Sequence, residues 1–359
     1  MQPIATPAAL NALAARLKTE PGIGLDTEFL RERTYRAQLC LIQLSSAAEA
    51  ACVDPLAVSG LAPLVPLLTA PGIVKVLHAS RQDLEVLFPI AGQVRPVFDT
   101  QIAAALIGLP AQVGYGELVR RLLGRELTKS HTRTDWSRRP LSVEQIDYAL
   151  DDVRYLLPLK ARLEEQLERS GRLAWLEEEL QELADMRHLV TRPEDAWLRM
   201  KGLRSLDAGR ERLARELAAW RERRAAERNR PRGWILEDAV LREIVLRVPR
   251  SAEALAAIED MPAGVLRHCG AELLECIRAA QVPDPPPPVN TRLAADPAKN
   301  ALVRKLGTLS QAIAAELGLS PEVLVTRRDL EELAGGRRDL GILRGWRREI
   351  VGERLLAAL

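Results

Sequence analysis

Gly24-Leu25-Asp26-Thr27-Glu28-Phe29 is the stretch whose reading decides the fold. The apolar run Ile23-Gly24-Leu25 leads straight into two acids. A short apolar run bounded by turn residues reads as a buried strand. Residues two apart on a strand share a face. Asp26 and Glu28 therefore stand side by side next to a core. At an effective dielectric of about 20, two like charges 4 Å apart repel by roughly 4 kcal/mol. Such a pair is a poor choice for stability and a good one for holding a cation.

Outward from this strand the same pattern repeats. Gln38-Leu39-Cys40-Leu41-Ile42-Gln43-Leu44, Ala51-Cys52-Val53 and Ile73-Val74-Lys75-Val76-Leu77 read as three further strands. The first three strands follow closely enough to form a meander. Helical spacing predicts helices at about 80–90, 99–108, 115–124 and 142–168. Ser142 and Gln145 form a capping box for the last of them. This alternation is α/β. Beyond residue 160 the pattern is helical throughout. We expect an α/β domain over 1–165, a charged connecting helix over 166–196, and a helical domain over 197–281. The proline run of 282–291 reads as a stiff linker, and 292–359 as a second helical domain.

Two further acids stand out. Asp83 follows the fourth strand, early in a helix. Asp152 lies in Asp147-Tyr148-Ala149-Leu150-Asp151-Asp152-Val153, where Tyr148 and Asp152 are i and i+4 and share a helical face. Four carboxylates from three elements suit two hard divalent cations, Mg²⁺ or Mn²⁺. Two such ions about 3.5–4 Å apart can stabilise the attacking and leaving oxygens of a phosphoryl displacement. The tyrosine hydroxyl could position a water. Asp54 and Asp99 sit where caps are expected. His78 reads as a hydrogen-bonded structural histidine, and Trp136 as packing.

Composition excludes several classes. The 359 residues hold 51 Lys plus Arg and 49 Asp plus Glu, for a formal net charge of +2. No stretch approaches the roughly 20 apolar residues that span a bilayer. The start has no basic segment ahead of an apolar run, so no secretory signal is expected. The four cysteines form no CxxC pair and read as free thiols. The four histidines lack metal-ligand spacing. The charge is unevenly placed: residues 197–234 carry 12 basic and 5 acidic residues, between more acidic segments.

Asp26-x-Glu28, His78-x5-Asp83-Leu84 and Tyr148-x3-Asp152 resemble the three exonuclease motifs of the DEDD superfamily. The resemblance is to its tyrosine-bearing branch, and most of all to the ribonuclease D family. Val53-Asp54-Pro55-Leu56, Phe98-Asp99-Thr100-Gln101, Thr132-Arg133-Thr134-Asp135-Trp136-Ser137 and Arg139-Pro140-Leu141-Ser142 extend it. It covers residues 1–165 closely and extends through the helical part. It implies a ribonuclease H-like α/β domain followed by two all-α domains similar to HRDC modules. It also implies a cytoplasmic 3′-to-5′ exoribonuclease that releases nucleoside 5′-monophosphates and trims tRNA precursors and other structured RNAs at a free 3′ end. By the same resemblance Asp26 bridges two metals, Glu28 and Asp152 complete one site, Asp83 serves the other, and Tyr148 orients the nucleophile. A DNA-directed exonuclease and a non-catalytic RNA-binding scaffold are the rival readings.

Candidate contacts to a single strand are Phe29, as a stacking surface, with Gln43 and Arg133. The helical match over 197–281 rests on Trp220-Arg221-Glu222, Asn229-Arg230-Pro231-Arg232 and Ile235-Leu236-Glu237-Asp238. Its basic excess makes Arg204, Arg221, Arg224, Arg228, Arg230 and Arg232 candidates for phosphate contacts. Oligomeric state is left open by the sequence.

Overall fold

The computed structural model describes residues 2–127, 134–185, 192–200, 202–203, 206–283 and 296–359. They form two compact units. The first comprises Met1–Leu30, Leu39–Leu189 and Ala295–Leu359; the second comprises Arg31–Gln38 and Val190–Ala294.

The first unit is built on five strands: β1 (Gly22–Leu30), β2 (Gln38–Ser45), β3 (Ala50–Val53), β4 (Val74–Leu77) and β5 (Val97–Asp99). Their order is β3-β2-β1-β4-β5. β2 and β3 are antiparallel, whereas β1, β4 and β5 run parallel. β1 is thus central, and its acids emerge in the middle of the sheet. β5 is the strand whose last residue is Asp99. It has only three residues, too few for alternation to register.

The helices fall close to expectation, at Arg81–Ala91, Thr100–Leu106 and Tyr115–Leu123. The long helix of 142–168 is two, Val143–Arg154 and Leu156–Arg169. Pro158 has no N–H to offer the Arg154 carbonyl, so the ladder restarts there. The Ser142 capping box is formed in both directions. One fully buried cation steadies the sheet. Lys75 on β4 donates to the carbonyls of Ala70, Ile73 and Arg95 at 3.0, 2.6 and 2.5 Å. Burial lowers its pKa to about 8.

The compact units do not follow the expected boundaries. Most of the 282–291 linker lies outside the described residues. The helices after it share a core with the sheet: Leu306, Ile313, Leu333, Val351 and Leu355 pack with Val76, Phe98, Leu118, Val153 and Leu163. Trp346 stacks on Trp175 at 4.5 Å between ring centroids and donates to Glu179 at 2.8 Å. The expected charged connector is likewise interrupted. The Leu156–Arg169 and Leu173–Leu183 helices are separated by a turn at Gly171, whose φ of +67° suits glycine. The apolar stripe Leu173, Leu176 and Leu180 draws the second of these helices into the core.

The second unit packs around the Ala208–Arg228 helix, with Leu213, Leu217, Leu241, Ile244, Leu273 and Ile277 in its core. Within it the Tyr35 hydroxyl donates to Glu222. Arg232 grips the same carboxylate with two bonds of 2.5 Å and lies over the Tyr35 ring at 4.8 Å.

Candidate active site

The site begins with a missing side chain. A Cβ on Gly24 would lie 2.2 Å from the Ser45 hydroxyl and 3.0 Å from the Val153 carbonyl. Ser45 donates to that carbonyl at 2.8 Å. The Val143–Arg154 helix can therefore seat closely on β1, and Asp152, next to Val153, arrives beside Asp26 and Glu28.

Asp26, Glu28 and Asp152 each offer a carboxylate oxygen within 4.8 Å of the others. Asp83 lies in the first turn of the Arg81–Ala91 helix and is buried. Thr27, between the two strand acids, donates to it at 2.5 Å. The Tyr148 hydroxyl is hydrogen-bonded to Asp152. Trp136, buried in the adjoining cluster, stacks on the Tyr148 ring at 6.2 Å.

Electrostatics bear the mark of crowded like charges. Burial first, then the charges of Asp83, Asp152 and Glu28, pushes the Asp26 carboxyl well above its ordinary range. Burial, then Asp152 and Asp83, raises Glu28 to about 8. Burial raises Asp83 to about 7 against the opposing Thr27 bond. Asp152 is raised to about 7 by burial and then by Asp151. Burial followed by the Asp152 charge pushes the Tyr148 phenol upward. Crowded carboxyls so largely withdrawn from water are unstable as anions unless a cation offsets them. Hard oxygen donors at this spacing fit a divalent cation.

The neighbours expected to be structural are so. Asp99 caps the Thr100–Leu106 helix through Gln101 and Ile102, and accepts from Ser80. Asp54 is held by both arms of Arg139. His78 contacts Thr100 at 2.9 Å and the Val113 carbonyl at 3.0 Å.

The single-strand candidates fare unevenly. Phe29 ends up half-buried on β1. Gln43 is completely buried, with no surface for RNA; a one-residue alternation cannot tell a wet face from a helix-covered one. Arg133 and Arg204 lie outside the described residues. Arg221 is 4 % exposed and spends its guanidinium on the Leu236 carbonyl and Asp238. Arg224 pairs with Glu272, and Arg232 with Glu222. Arg228 and Arg230 are exposed. A net charge count does not reveal such pairing. Thr27 and Gly24 were not singled out in sequence, because their partners are distant along the chain. Trp234, 61 % exposed, is an aromatic the sequence reading passed over. Its flanks Arg232 and Gly233 were the available signal.

A mixed sheet in this order, offering four crowded acids and a tyrosine in three motifs, is the construction of a DEDD-type 3′-to-5′ exonuclease. Residues 1–168 match the 3′-5′ exonuclease family, and residues 210–277 match the HRDC domain. A ribonuclease D from Gluconacetobacter diazotrophicus is 40% identical over 99% of this chain and 91% of its own length. One from Nitrobacter hamburgensis is 37% identical over 99% and 94%. The crystal structure of Escherichia coli RNase D, described as an exoribonuclease involved in structured RNA processing, superposes with a TM-score of 0.87. It is 34% identical and covers 100% of this chain and 98% of that one. The chain belongs to the ribonuclease D family and is a 3′-to-5′ exoribonuclease.

Proposed function

We propose that the chain hydrolyses RNA from a free 3′ end with two divalent ions, Mg²⁺ or Mn²⁺, releasing nucleoside 5′-monophosphates. Precursors of tRNA and other structured RNAs are its substrates. The observation that carries this is the half-buried trio Asp26, Glu28 and Asp152, with the buried Asp83 brought to β1 through Thr27.

Asp26 would face both ions, Glu28 and Asp152 would complete one set of ligands, and Asp83 would serve the other. Bound cations would lower the pKa of a water and offset charge on the phosphoryl oxygens. Tyr148, fixed by Asp152 and by the Trp136 ring, holds its hydroxyl where it can orient the attacking water. Phe29, on the same strand as the acids, offers a face for the last base. Arg228, Arg230 and Trp234 in the HRDC unit provide phosphate and stacking contacts for the body of the RNA. Four free cysteines suit the cytoplasm, and among the described residues no helix is long and apolar enough to cross a membrane.

The test is a 3′-end-labelled RNA incubated with Mn²⁺, Mg²⁺ or EDTA. A labelled 5′-monophosphate is the expected first product, absent in EDTA and absent for Asp26→Asn. Labelled oligonucleotides as first products would overturn the reading. A tRNA with a 3′ extension, an unstructured RNA and a DNA of equal length, run side by side, test the substrate. Equal rates on all three would overturn the preference for structured RNA.

A further inference from the structure

Gln43 is fully buried, and among the described residues neither polar atom of its amide has a hydrogen-bond partner. A buried donor or acceptor left unsatisfied is destabilising. An amide kept there at that cost calls for a physical reason.

Its position supplies one. Only residues 31–37 separate β1 from β2, too few for the crossover that a parallel pair needs. The two strands are therefore antiparallel. Gly24 faces Ser45, since a Cβ on Gly24 would touch the Ser45 hydroxyl. Two residues onward along β1 and two back along β2, Asp26 faces Gln43. Directly opposite cross-strand side chains have Cβ atoms about 4.5–5.5 Å apart. On its other side Gln43 pairs with Cys52 of β3. The Cys52 thiol lies within the field of Glu28 and Asp26. The same face is covered by Ile146, Ala149 and Leu150 of the helix that carries Tyr148 and Asp152. Gln43 therefore stands in a dry slot beside the carboxylates, with a donor to give and no partner for it among the described residues.

We propose that Gln43 is a positioning residue for the acidic cluster: its buried amide N–H is the donor that fixes the Asp26 carboxylate when that group holds a divalent cation. The inference rests on the reading of Asp26 as a metal ligand. Partners that orient a ligand in this way set metal affinity, typically by 10–100-fold. They touch no substrate.

The test compares the full-length chain with Gln43→Met, close in shape and without a donor, and with Gln43→Leu as a second variant. The primary readout is the midpoint of the Mn²⁺-induced rise in melting temperature, with Asp26→Asn as control. In EDTA both Gln43 variants should melt at or above the unaltered chain, because an orphaned amide is gone. Their Mn²⁺ midpoints should rise about 10-fold or more. The rate on RNA should fall at limiting Mn²⁺ and recover within a few-fold at saturation. An unchanged midpoint in a folded variant, with Asp26→Asn having lost its Mn²⁺ response, overturns the role of Gln43 alone. A full Mn²⁺ response in Asp26→Asn overturns the metal reading beneath it. A loss of rate that saturating Mn²⁺ does not restore also overturns a pure positioning role.

Discussion

At the residue scale the carboxyl cluster trades stability for cation binding, and pH exposes the trade. The ordinary Glu28 value is 4.5, and in the folded chain it is about 8. Below about pH 4.5 both folded and unfolded forms keep the proton. Between the two values the unfolded chain releases it while the folded chain retains it, so folding is progressively disfavoured as pH rises. The metal-free protein should therefore lose melting temperature from pH 5 to 8, and Glu28→Gln should lose less. Parallel slopes in EDTA would contradict the crowding described here. Tyr148 tests a different quality. Its hydroxyl touches Asp152 and its ring is held by Trp136. Tyr148→Phe should lower kcat by roughly 10²-fold, the lower end of a positioned proton-handling group. Its Mn²⁺ midpoint should stay within a few-fold of the unaltered chain. A kcat within a factor of two would remove Tyr148 from the reaction.

At the element scale the active site depends on how closely one helix lies on one strand. The Val143–Arg154 helix carries Tyr148 and Asp152, and its end rests on β1 at Gly24. A methyl there collides with Ser45 and the Val153 carbonyl. Overpacking of this kind costs about 1–3 kcal/mol. Gly24→Ala should lower the melting temperature and, by displacing Asp152, raise the Mn²⁺ midpoint as well. A stability loss with an unmoved midpoint would separate the fold from the site. Much of this element was legible in sequence. The capping box fixed its start, and the i, i+4 relation of Tyr148 and Asp152 picked out the face that carries both. Its end was not legible, because a proline four residues past Arg154 acts through a lost hydrogen bond rather than through hydrophobic spacing.

At the scale of the whole molecule, charge and core are distributed differently from the linear chain. Residues after 295 complete the core of the catalytic unit through Leu306, Ile313, Trp346 and Leu355. A chain ended at residue 291 should leave that apolar surface uncovered, and lose soluble, cooperatively melting protein and activity together. An active, cooperatively melting truncation would show that the core closes without these helices. In the other unit, Arg221, Arg224 and Arg232 are engaged with acids, while Arg228 and Arg230 are exposed. Replacing Arg228 and Arg230 by Ala should weaken RNA binding across sequences and reduce the salt slope by about 1 per arginine. An Arg221→Ala change should instead appear as lost stability. Filter binding at several salt concentrations, beside thermal melts, separates the two.

The sequence by itself determined the carboxylate motifs, the strand that carries Asp26 and Glu28, and the helical face shared by Tyr148 and Asp152. Those are local facts, written in periods of two and of 3.6 residues and in caps three residues apart. Only the tertiary structure decided that Thr27 reaches Asp83, that Gln43 is sealed beside Asp26, that three arginines are already paired, and that the last helices belong to the catalytic core. Each depends on groups far apart in the chain meeting in a dry interior. Burial, pairing and leftover hydrogen-bonding capacity are properties of that meeting, and no local period encodes them.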